Sequence, residues 1–421
     1  MSDHAAPDDR QPFWFLILFA LAVGGGAVAY VPLLTVLLPV KITGVVGAED
    51  VASLARATFY GAIVASLANI AFGMVSDRSG TRRIWIVLGL FSSSALLIFI
   101  GRANSLFDLI VLIMAWQVCL NMMLGPLLAW AGDCVPDRQK GLLGGLLSAA
   151  PAMGAMAGSL VTFENFVSES FRMPAIAMLV AALVLPVVLL GGGRERPALM
   201  RPRGVNDSKS APYADAQAGV QADAQAGAQA DAQDGQTKSV VARMWMSRFL
   251  VQISEAGLFA FLLFWLRSIV ADFHENTAAN IFSLVLIVSV PLSLVIGRWS
   301  DTHRRPLLPL VGSAMLAAAG LAIMAAALEL PLAITGYVIF GIAASIFLSL
   351  HTSQTLRVLP KPQHRGRDLG IFNLTNTIPS VVMPWITLSL VPGFGFSALF
   401  ILFAGLAALA ALLLATIIRR T

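Results

Sequence analysis

The sequence predicts an all-α membrane protein with twelve transmembrane helices in two pseudo-symmetric six-helix halves. Hydrophobic residues make up 57% of the 421 residues and charged residues only 12%, with a mean hydropathy of +0.80. A soluble globular protein carries roughly 25% charged residues, so this chain has too few to cover a water-facing surface. Apolar stretches of membrane-spanning length also recur from one end of the chain to the other.

Twelve predicted spans follow from these apolar stretches. In the first half they lie at about 13–39, 53–76, 83–101, 106–132, 140–163 and 173–191. In the second half they lie at about 245–270, 278–299, 306–328, 331–356, 367–391 and 395–418. The first apolar run is too long for a signal peptide, so the N-terminus is not expected to be cleaved there.

Basic residues are distributed unevenly between the two sides of these spans. With the N-terminus inside, 23 of the 28 Lys and Arg residues lie in the inner loops and tails. The five others are Lys41, Arg56, Arg102, Arg172 and Arg267. This asymmetry predicts a multi-pass protein of the inner membrane with both termini cytoplasmic. The formal charge of +5 therefore reflects topology and does not indicate a nucleic-acid partner.

The sequence carries no signature of catalysis. It lacks a Gly-x-x-x-x-Gly-Lys-Ser/Thr phosphate loop, so transport powered by ATP on this chain is not expected. No Ser/His/Asp arrangement and no His/Cys cluster suggests an active site or a metal site. Cys119 and Cys134 lie on one predicted helix, about 22 Å apart along it, and cannot pair. We therefore predict no enzyme activity, no cofactor and no metal.

A polar segment at 193–243 separates an N-terminal half (1–192) from a C-terminal half (244–421). It contains an octad repeat, ADAQAGVQ from Ala214 and ADAQAGAQ from Ala222, with a degenerate third copy that ends the 214–236 repeat. Small and polar residues in alternation cannot bury an apolar face, which predicts a disordered cytoplasmic linker. Because the segment is rich in Ala, a local helix is the alternative.

Each half carries the same pair of loop motifs. GMVSDRSGTRR begins at Gly73 and GRWSDTHRRP begins at Gly297, which places Asp77 and Asp301 at matching inner loops. VPDRQKGLLGG in the first half and LPKPQHRGRDLG in the second recur at nearly the same offset. Two motif pairs at one offset indicate duplication of a six-helix unit. That layout is associated with alternating-access carriers whose site lies between the halves.

The loop Gly73-x-x-x-Asp77-Arg78-x-Gly80-x-Arg82-Arg83 resembles the signature loop of the major facilitator superfamily. It departs from that signature at Thr81, where a basic residue is usual, and the second copy lacks the Gly and Arg after Asp301. The segments RGRDLGIFNLTNTIP and MLGPLLAWAGDCVP resemble the sucrose-type and glycoside-pentoside-hexuronide-type branches of sugar:cation symporters. The resemblance implies the major facilitator fold and a monomeric carrier of a small molecule, with the lipid bilayer as its surroundings.

The signature loop predicts a conformational latch at the cytoplasmic side. A carboxylate at the inner end of span 2 can accept hydrogen bonds from the N-terminus of a neighbouring helix, where the dipole favours negative charge. The resemblance places span 11 there, and the basic residues of the loop can pair with nearby acids. The predicted latch residues are Gly73, Asp77, Arg78, Gly80, Arg82, Arg83, Asp133, Asp301, Arg365 and Asp368. A tight turn anchored to lipid phosphates is the alternative.

Glu255 is the most informative single residue of the sequence. It lies ten residues after Trp245, where span 7 begins, and therefore about 15 Å from the inner surface, close to the bilayer centre. An unpaired carboxylate there would cost several kcal/mol, so it must be protonated, paired or exposed to water. We predict that Glu255 couples proton movement to transport and contacts the solute. A protonated acid hydrogen-bonded between helices is the alternative.

Other polar groups at mid-membrane depth complete a predicted substrate site on spans 1, 4, 7 and 11. Gln117 and Asn121 share a helix face, and Trp116 beside them could stack on a sugar ring. The predicted substrate-binding residues are Tyr30, Trp116, Gln117, Asn121, Gln252, Glu255, Asn373 and Asn376. For each of these side chains taken alone, a hydrogen bond between membrane helices is the alternative to solute binding.

These observations predict a secondary transporter of a sugar or a similar small polar solute, coupled to protons as a symporter. One alternative keeps the fold and exports an amphiphile or a drug in exchange for protons. Another alternative is a membrane assembly factor or receptor that transports nothing. The sequence identifies neither the solute nor the direction of transport.

Overall fold

A computed structural model shows an all-helical protein. The structure describes residues 10–47, 50–136, 139, 142–143, 146–147, 149–163, 166–193, 220–303, 305–358 and 365–418. Within these ranges, the side chains of residues 220–238, 301, 352–353, 355–358, 365–374 and 376–377 lie outside the description.

Within the described residues, the N-terminal half contains seven α-helices. They are α1 (Phe13–Pro32), α2 (Leu38–Val46), α3 (Asp50–Ser79), α4 (Arg83–Arg102), α5 (Leu106–Cys134), α6 (Ala150–Thr162) and α7 (Arg172–Leu190). A π-helical segment, Leu33–Leu37, joins α1 to α2 without interruption, so the two helices form one long stretch that follows predicted span 1. Ser105 caps α5, because its hydroxyl accepts a hydrogen bond from the backbone N–H of Asp108.

Five helices are described in the C-terminal half. They are α8 (Val220–Ile269), α9 (Glu275–Thr302), α10 (Leu308–Ala326), α11 (Leu330–Val358) and α12 (Arg365–Ile418). Gly395 interrupts the long α12 with φ 72° and ψ 179°, a backbone conformation that glycine adopts without a steric penalty. The break lies where the sequence predicts the boundary between spans 11 and 12.

The helices confirm a multi-pass membrane protein. Among the described residues, ten helical stretches are long and apolar enough to cross a bilayer. Large apolar side chains face outward along them, among them Leu67, Phe91 and Ile401, as is expected for surfaces covered by lipid. Helix α6, in predicted span 5, has 13 described residues and is not among the ten, and Ile378–Ile418 is counted as one stretch.

The structure describes the backbone of the second part of the 193–243 segment. The backbone is helical from Val220 onward, so the second part of the 193–243 segment continues directly into α8. Ala and Gln are good helix formers, and they dominate this segment. The first part, 194–219, lies outside the described residues.

The two halves pack their helices in the same pattern. In the N-terminal half, α4 packs on α5 and α7, and α3 packs on α5; in the C-terminal half, α10 packs on α11 and α12, and α9 packs on α11. Gly89 of α4 and Gly320 of α10 occupy equivalent crossings. A Cβ at Gly89 would lie 2.5 Å from the backbone N of Met123, and a Cβ at Gly320 would lie 2.6 Å from the backbone N of Phe340. Both crossings therefore require a residue without a side chain.

Two pairs of helices make the most extensive contacts between the halves. Helix α6 packs against α9, and α3 packs against α12. The second part of α8 also contributes to the hydrophobic core of the N-terminal half through Phe261 and Phe264. These contacts enclose a space between the halves, which is the candidate site.

Candidate functional site

A cavity of about 650 Å³ lies between the two halves. The N-terminal half lines it with α1, α3 and α5, and the C-terminal half lines it mainly with α8, together with Leu348 of α11 and Ser380, Met383 and Pro384 of α12. Arg248, Gln252, Glu255 and Phe259 of α8 all line the cavity, at intervals of three or four residues. That spacing places them along one face of the helix. The volume is typical of a site for a small molecule.

Glu255 lies at the middle of this α8 face. Its Oε2 accepts a hydrogen bond of 2.6 Å from Nε2 of Gln252, one turn earlier. Both side chains are half-buried and line the cavity, so the carboxyl group reaches its open space and not the surrounding lipid. An acid in this position can exchange a proton with water in the cavity.

Arg248 also lines the cavity, which the sequence analysis did not predict. It was counted with the basic residues of the inner side, although it lies just inside the predicted start of span 7. In the structure its Nε donates to Oγ1 of Thr375 and its Nη1 donates to the carbonyl of Leu348, both at 3.1 Å. Arg248 and Glu255 are seven residues apart, which is two helical turns or about 10 Å along the axis. That interval was visible in the sequence and could have placed both on one face.

Three amides form a chain along the opposite wall. Nδ2 of Asn69 on α3 donates to Oδ1 of Asn121 on α5 at 3.1 Å. Nδ2 of Asn121 donates in turn to the carbonyl of Gln117 at 2.9 Å and to Oε1 of Gln117 at 3.3 Å. All three residues line the cavity. The chain presents donors and acceptors of the kind that bind hydroxyl groups.

Asn69 was not among the predicted site residues. It lies in the interior of predicted span 2, and the criterion of mid-membrane polarity that selected Gln117 and Asn121 would also have selected it. Its position next to Asn121 depends on how closely α3 approaches α5, where a Cβ at Gly125 would lie 3.1 Å from the carbonyl of Asn69.

Aromatic side chains from both halves border the cavity. The ring of Tyr30 on α1 lies 6.3 Å from the ring of Phe259 on α8, and Phe259 lies 5.9 Å from Phe282 on α9 in an edge-to-face arrangement. Tyr30 and Phe259 line the cavity, while Phe282 packs in a small core beneath them. The end of the bundle that carries Glu275 is called here the Glu275 end.

Polar contacts between the halves are found at the Glu275 end. Arg172 of the N-terminal half pairs with Oε1 of Glu275 at 3.2 Å, and Arg267 approaches Oε2 of the same carboxylate at 3.6 Å. Asn276 donates to the carbonyl of Ser159 at 3.1 Å and to Oγ1 of Thr162 at 3.2 Å. Ser159 also bonds Asn280. These contacts join α6 and α7 to α9 and hold this end together.

Trp116 lies apart from the other predicted substrate-binding residues. Its side chain is 0% exposed within the core of the N-terminal half, and it does not line the cavity. It adjoins Gln117 in sequence, but the 100° turn per residue directs it into the helix packing. The side chains of Asn373 and Asn376, on the first part of α12, lie outside the description.

Arg82 organises the signature loop. Its Nη1 lies 2.5 Å from Oδ1 of Asp77 and donates to Oγ of Ser76 at 2.7 Å, while its Nε donates to Oδ2 of Asp133 at 3.0 Å. Gly80 makes the turn with φ 66°. These residues all belong to the N-terminal half, and they define the Asp77 end of the bundle. The contacts of Arg82 therefore join α3 to α5 within that half.

The remaining latch residues occupy three kinds of position. Arg83 donates to the carbonyl of Val188 and lies 5.9 Å from the ring of Trp130, which ties α4 to α5 and α7. Gly73 and the exposed Arg78 lie on α3, near the loop. The side chains of Asp301, Arg365 and Asp368 lie outside the description, so the predicted contact between Asp77 and span 11 remains a prediction.

The described residues contain no cluster of three or more His, Cys, Asp and Glu that could hold a metal ion. Cys119 and Cys134 are not joined in a disulfide. Among the described residues, the cavity lining offers a carboxyl group, a guanidinium, a chain of amides and an aromatic border, which suit molecular recognition and proton exchange.

Comparisons with known proteins point to one family. The model of the Major Facilitator Superfamily matches residues 15–361 and 244–421. No curated protein matches the chain.

Solved structures share the fold at low sequence identity. A bacterial homologue of the human lysosomal transporter Spinster, inward-facing and unoccupied, is 16% identical with a TM-score of 0.63, over 96% of this chain and 94% of that one. A point mutant of the nucleoside transporter NupG is 14% identical with a TM-score of 0.65, over 96% and 99%. A POT family transporter in complex with 5-aminolevulinic acid is 13% identical with a TM-score of 0.71, over 96% of each chain.

Proposed function

The chain belongs to the Major Facilitator Superfamily, and from that premise we propose that this secondary transporter moves a sugar or a similar small polar solute by proton-coupled symport. The transporter class follows from the family, while the solute and the proton are our proposal. The single observation that carries the proposal is a cavity between the halves with Glu255 on one wall and the chain of amides on the other.

The features of the cavity match the two tasks of a symporter. Amide groups suit the hydroxyls of a polar solute because each amide both donates and accepts hydrogen bonds. Glu255 is the proposed proton carrier, since it is the one acid among the described residues that line the cavity. A proton on Glu255 neutralises its negative charge. The free-energy cost of burying this side chain while the carrier changes between its outward-open and inward-open states is then lower.

We place the protein in the inner membrane with twelve spans and both termini in the cytoplasm. The ten described stretches, the additional helix α6 and the break at Gly395 are compatible with that count. The excess of basic residues then makes the Asp77 end cytoplasmic. In this topology Arg82 and its partners belong to the cytoplasmic latch, and the Glu275 end faces outward.

We propose that the contacts at the Glu275 end form an outer gate with Glu275 at its centre. Replacing Glu275 with Gln removes the charge that holds Arg172 and Arg267 together, and the two cations then repel each other. A partly exposed pair of this kind contributes about 1 kcal/mol, equivalent to roughly a fivefold shift toward the outward-open state.

Thiol labelling measures this shift. Leu34, which lines the cavity, is replaced by Cys in a background that lacks Cys119 and Cys134. We expect a membrane-impermeant maleimide added outside to label this Cys faster in Glu275→Gln. The control is Glu329→Gln, an exposed acid before α11, which should leave the rate unchanged. Equal rates in all three proteins would contradict the gate.

Transport itself is tested with the purified full chain in proteoliposomes. We expect exchange of radiolabelled solute above the level of empty liposomes for at least one member of a panel of sugars, polyols and their acids. Uptake of that solute should rise when the outside is acidified, since the proton then moves inward with it. Absence of exchange across the panel, together with a stable co-purifying protein, would favour an assembly factor. Higher drug sensitivity of a strain that lacks the gene, compared with its parent strain, would favour an exporter.

A further inference from the structure

We propose that a second cavity, at the Glu275 end, binds the phosphate group of an anionic membrane lipid through Lys41 and Arg172. The cavity has a volume of about 350 Å³ and shares no lining residue with the cavity between the halves. Its wall is formed by α2 with the π-helical segment before it, by the end of α4 with the connection that follows, and by the start of α7. All of these belong to the N-terminal half.

Arg172 is a cation of this wall that protein groups satisfy only in part. Its side chain is 16% exposed, and its Nη1 donates to Oε1 of Glu275 at 3.2 Å. Its Nε is buried and has no hydrogen-bond partner among the described residues. A guanidinium has five N–H donors in a fork that matches the oxygens of a phosphate group. A phosphate in the cavity would supply the acceptors that this side chain lacks.

Lys41 provides a second donor group on the same wall. Its side chain is half-buried, and its Nζ donates to the carbonyl of Gly101 at 2.9 Å. An ammonium group has three donors, and this bond is the one that the described part of the chain gives it. The bond holds the ammonium group at the cavity wall without neutralising its charge. The remaining donors are available to a ligand.

The distribution of charge around the cavity favours an anion. Besides Lys41 and Arg172, the exposed Arg102 lies between two residues of the lining. These are three of the five basic residues that the sequence assigns to the outer side. Outer loops of membrane proteins are poor in basic residues, so the presence of three at one cavity indicates an anionic ligand. Glu169 also lines the cavity, but its side chain is exposed and water and salt screen its charge.

The rest of the wall favours a lipid over free phosphate. It includes the apolar side chains of Leu37, Val40, Val45 and Met173. Free phosphate would leave these side chains without a partner, whereas a lipid can cover them. The exposed Phe107 and Phe171 lie a few residues along the chain from the lining and can contact acyl chains. Helix α2 ends at Val46 and α4 ends at Arg102, which places the cavity at the depth of lipid headgroups.

A bound lipid would also act on the proposed outer gate, because Arg172 serves both sites. A phosphate on Arg172 competes with Glu275 for the same guanidinium. The bound lipid therefore weakens this contact between the halves and favours the outward-open state. This consequence rests on the proposed gate, while the binding of the lipid does not.

The binding is tested on the unmodified full chain, purified in detergent. The probes are dioleoylphosphatidylglycerol, which is anionic, dioleoylphosphatidylcholine, which has the same chains and no net charge, and inorganic phosphate. We expect the anionic lipid to raise the melting temperature, since a ligand stabilises the state that binds it, and the two other probes to raise it far less at equal concentration. An equal shift with phosphatidylcholine would overturn the anionic ligand. An equal shift with inorganic phosphate would overturn the lipid.

Variants locate the binding site. Lys41→Gln and Arg172→Gln should each weaken the apparent affinity for phosphatidylglycerol by about 10-fold, because a hydrogen bond between charged partners is lost. The control is Arg267→Gln, which removes the other cation beside Glu275 but lies outside the cavity lining. Unchanged affinity in folded Lys41→Gln and Arg172→Gln proteins, judged by their melting temperatures without lipid, would overturn the assignment.

The link to the gate is measured with the Leu34→Cys protein in nanodiscs. We expect the maleimide to label it faster in phosphatidylglycerol than in phosphatidylcholine, and Lys41→Gln to remove this difference. Equal rates in the two lipids, with lipid binding intact, would overturn the link between the cavity and the gate. A gate that does not exist is recognised separately, because Glu275→Gln would then leave the labelling rate unchanged in either lipid.

Discussion

Glu255→Gln is expected to abolish uptake driven by a pH gradient while solute exchange without a gradient continues. Gln has nearly the same shape and can still take part in a hydrogen bond with Gln252, which donates to Oε2 at 2.6 Å in the structure. It cannot bind or release a proton, so the gradient no longer acts on the carrier. Loss of one hydrogen bond to the solute, about 1 kcal/mol, would weaken its binding by roughly fivefold.

The measurement compares the two modes of transport in the same proteoliposomes. Acid outside and neutral pH inside should accelerate uptake by the unmodified protein and by the control Glu329→Gln. It should not accelerate uptake by Glu255→Gln, while exchange of labelled for unlabelled solute at equal pH persists. Uptake by Glu255→Gln that still follows the pH gradient would assign proton coupling to another group.

Gly89→Ala is expected to destabilise the fold strongly, although it adds only one methyl group. The added Cβ would lie 2.5 Å from the backbone N of Met123, 2.8 Å from the carbonyl of Cys119 and 2.9 Å from the carbonyl carbon of Met122. All three atoms belong to the backbone of α5, which cannot yield as a flexible side chain would. Helices α4 and α5 must therefore separate, at a cost of about 1–3 kcal/mol or more.

Gly312→Ala is the matched control for this substitution. Gly312 lies on α10, and a Cβ there would have no atom within 4 Å. We expect Gly89→Ala to lower the melting temperature in detergent and the monodisperse fraction, and Gly312→Ala to change neither. Gly320→Ala should behave like Gly89→Ala, because Gly320 occupies the equivalent crossing. Equal melting temperatures of the Gly89 and Gly312 variants would mean that α4 and α5 pack less closely at Gly89 than in the structure.

The membrane fold was predictable because its signals are local in sequence. A run of about 20 apolar residues crosses a bilayer whatever surrounds it, since the backbone must satisfy its own hydrogen bonds there. The loop at Asp77 indicates the family by its composition and spacing alone. The family match and the shared fold confirm the resemblance to the superfamily. The resemblance to sugar:cation symporters stays a prediction.

The site was only partly predictable, because depth in the membrane does not specify direction. Sequence position predicted mid-membrane depth for Glu255, Gln117 and Trp116 alike. In the structure the first two line the cavity, and the third lies in the core. Arg248 was counted with the basic residues of the inner side because it lies near the predicted start of its span. In the structure, helix α8 begins well before that point and carries Arg248 to the cavity wall.

The sequence by itself determined a helical membrane protein, its family and an acid at mid-membrane depth, because hydropathy and motif spacing are properties of one segment at a time. Only the tertiary structure decided which polar groups meet. The pairing of Asn69 with Asn121, the bridge from Arg172 to Glu275 and the shared cavity of Arg248 and Glu255 depend on how whole helices rotate and approach one another. That rotation is set by packing across distant parts of the chain, including crossings as close as the one at Gly89.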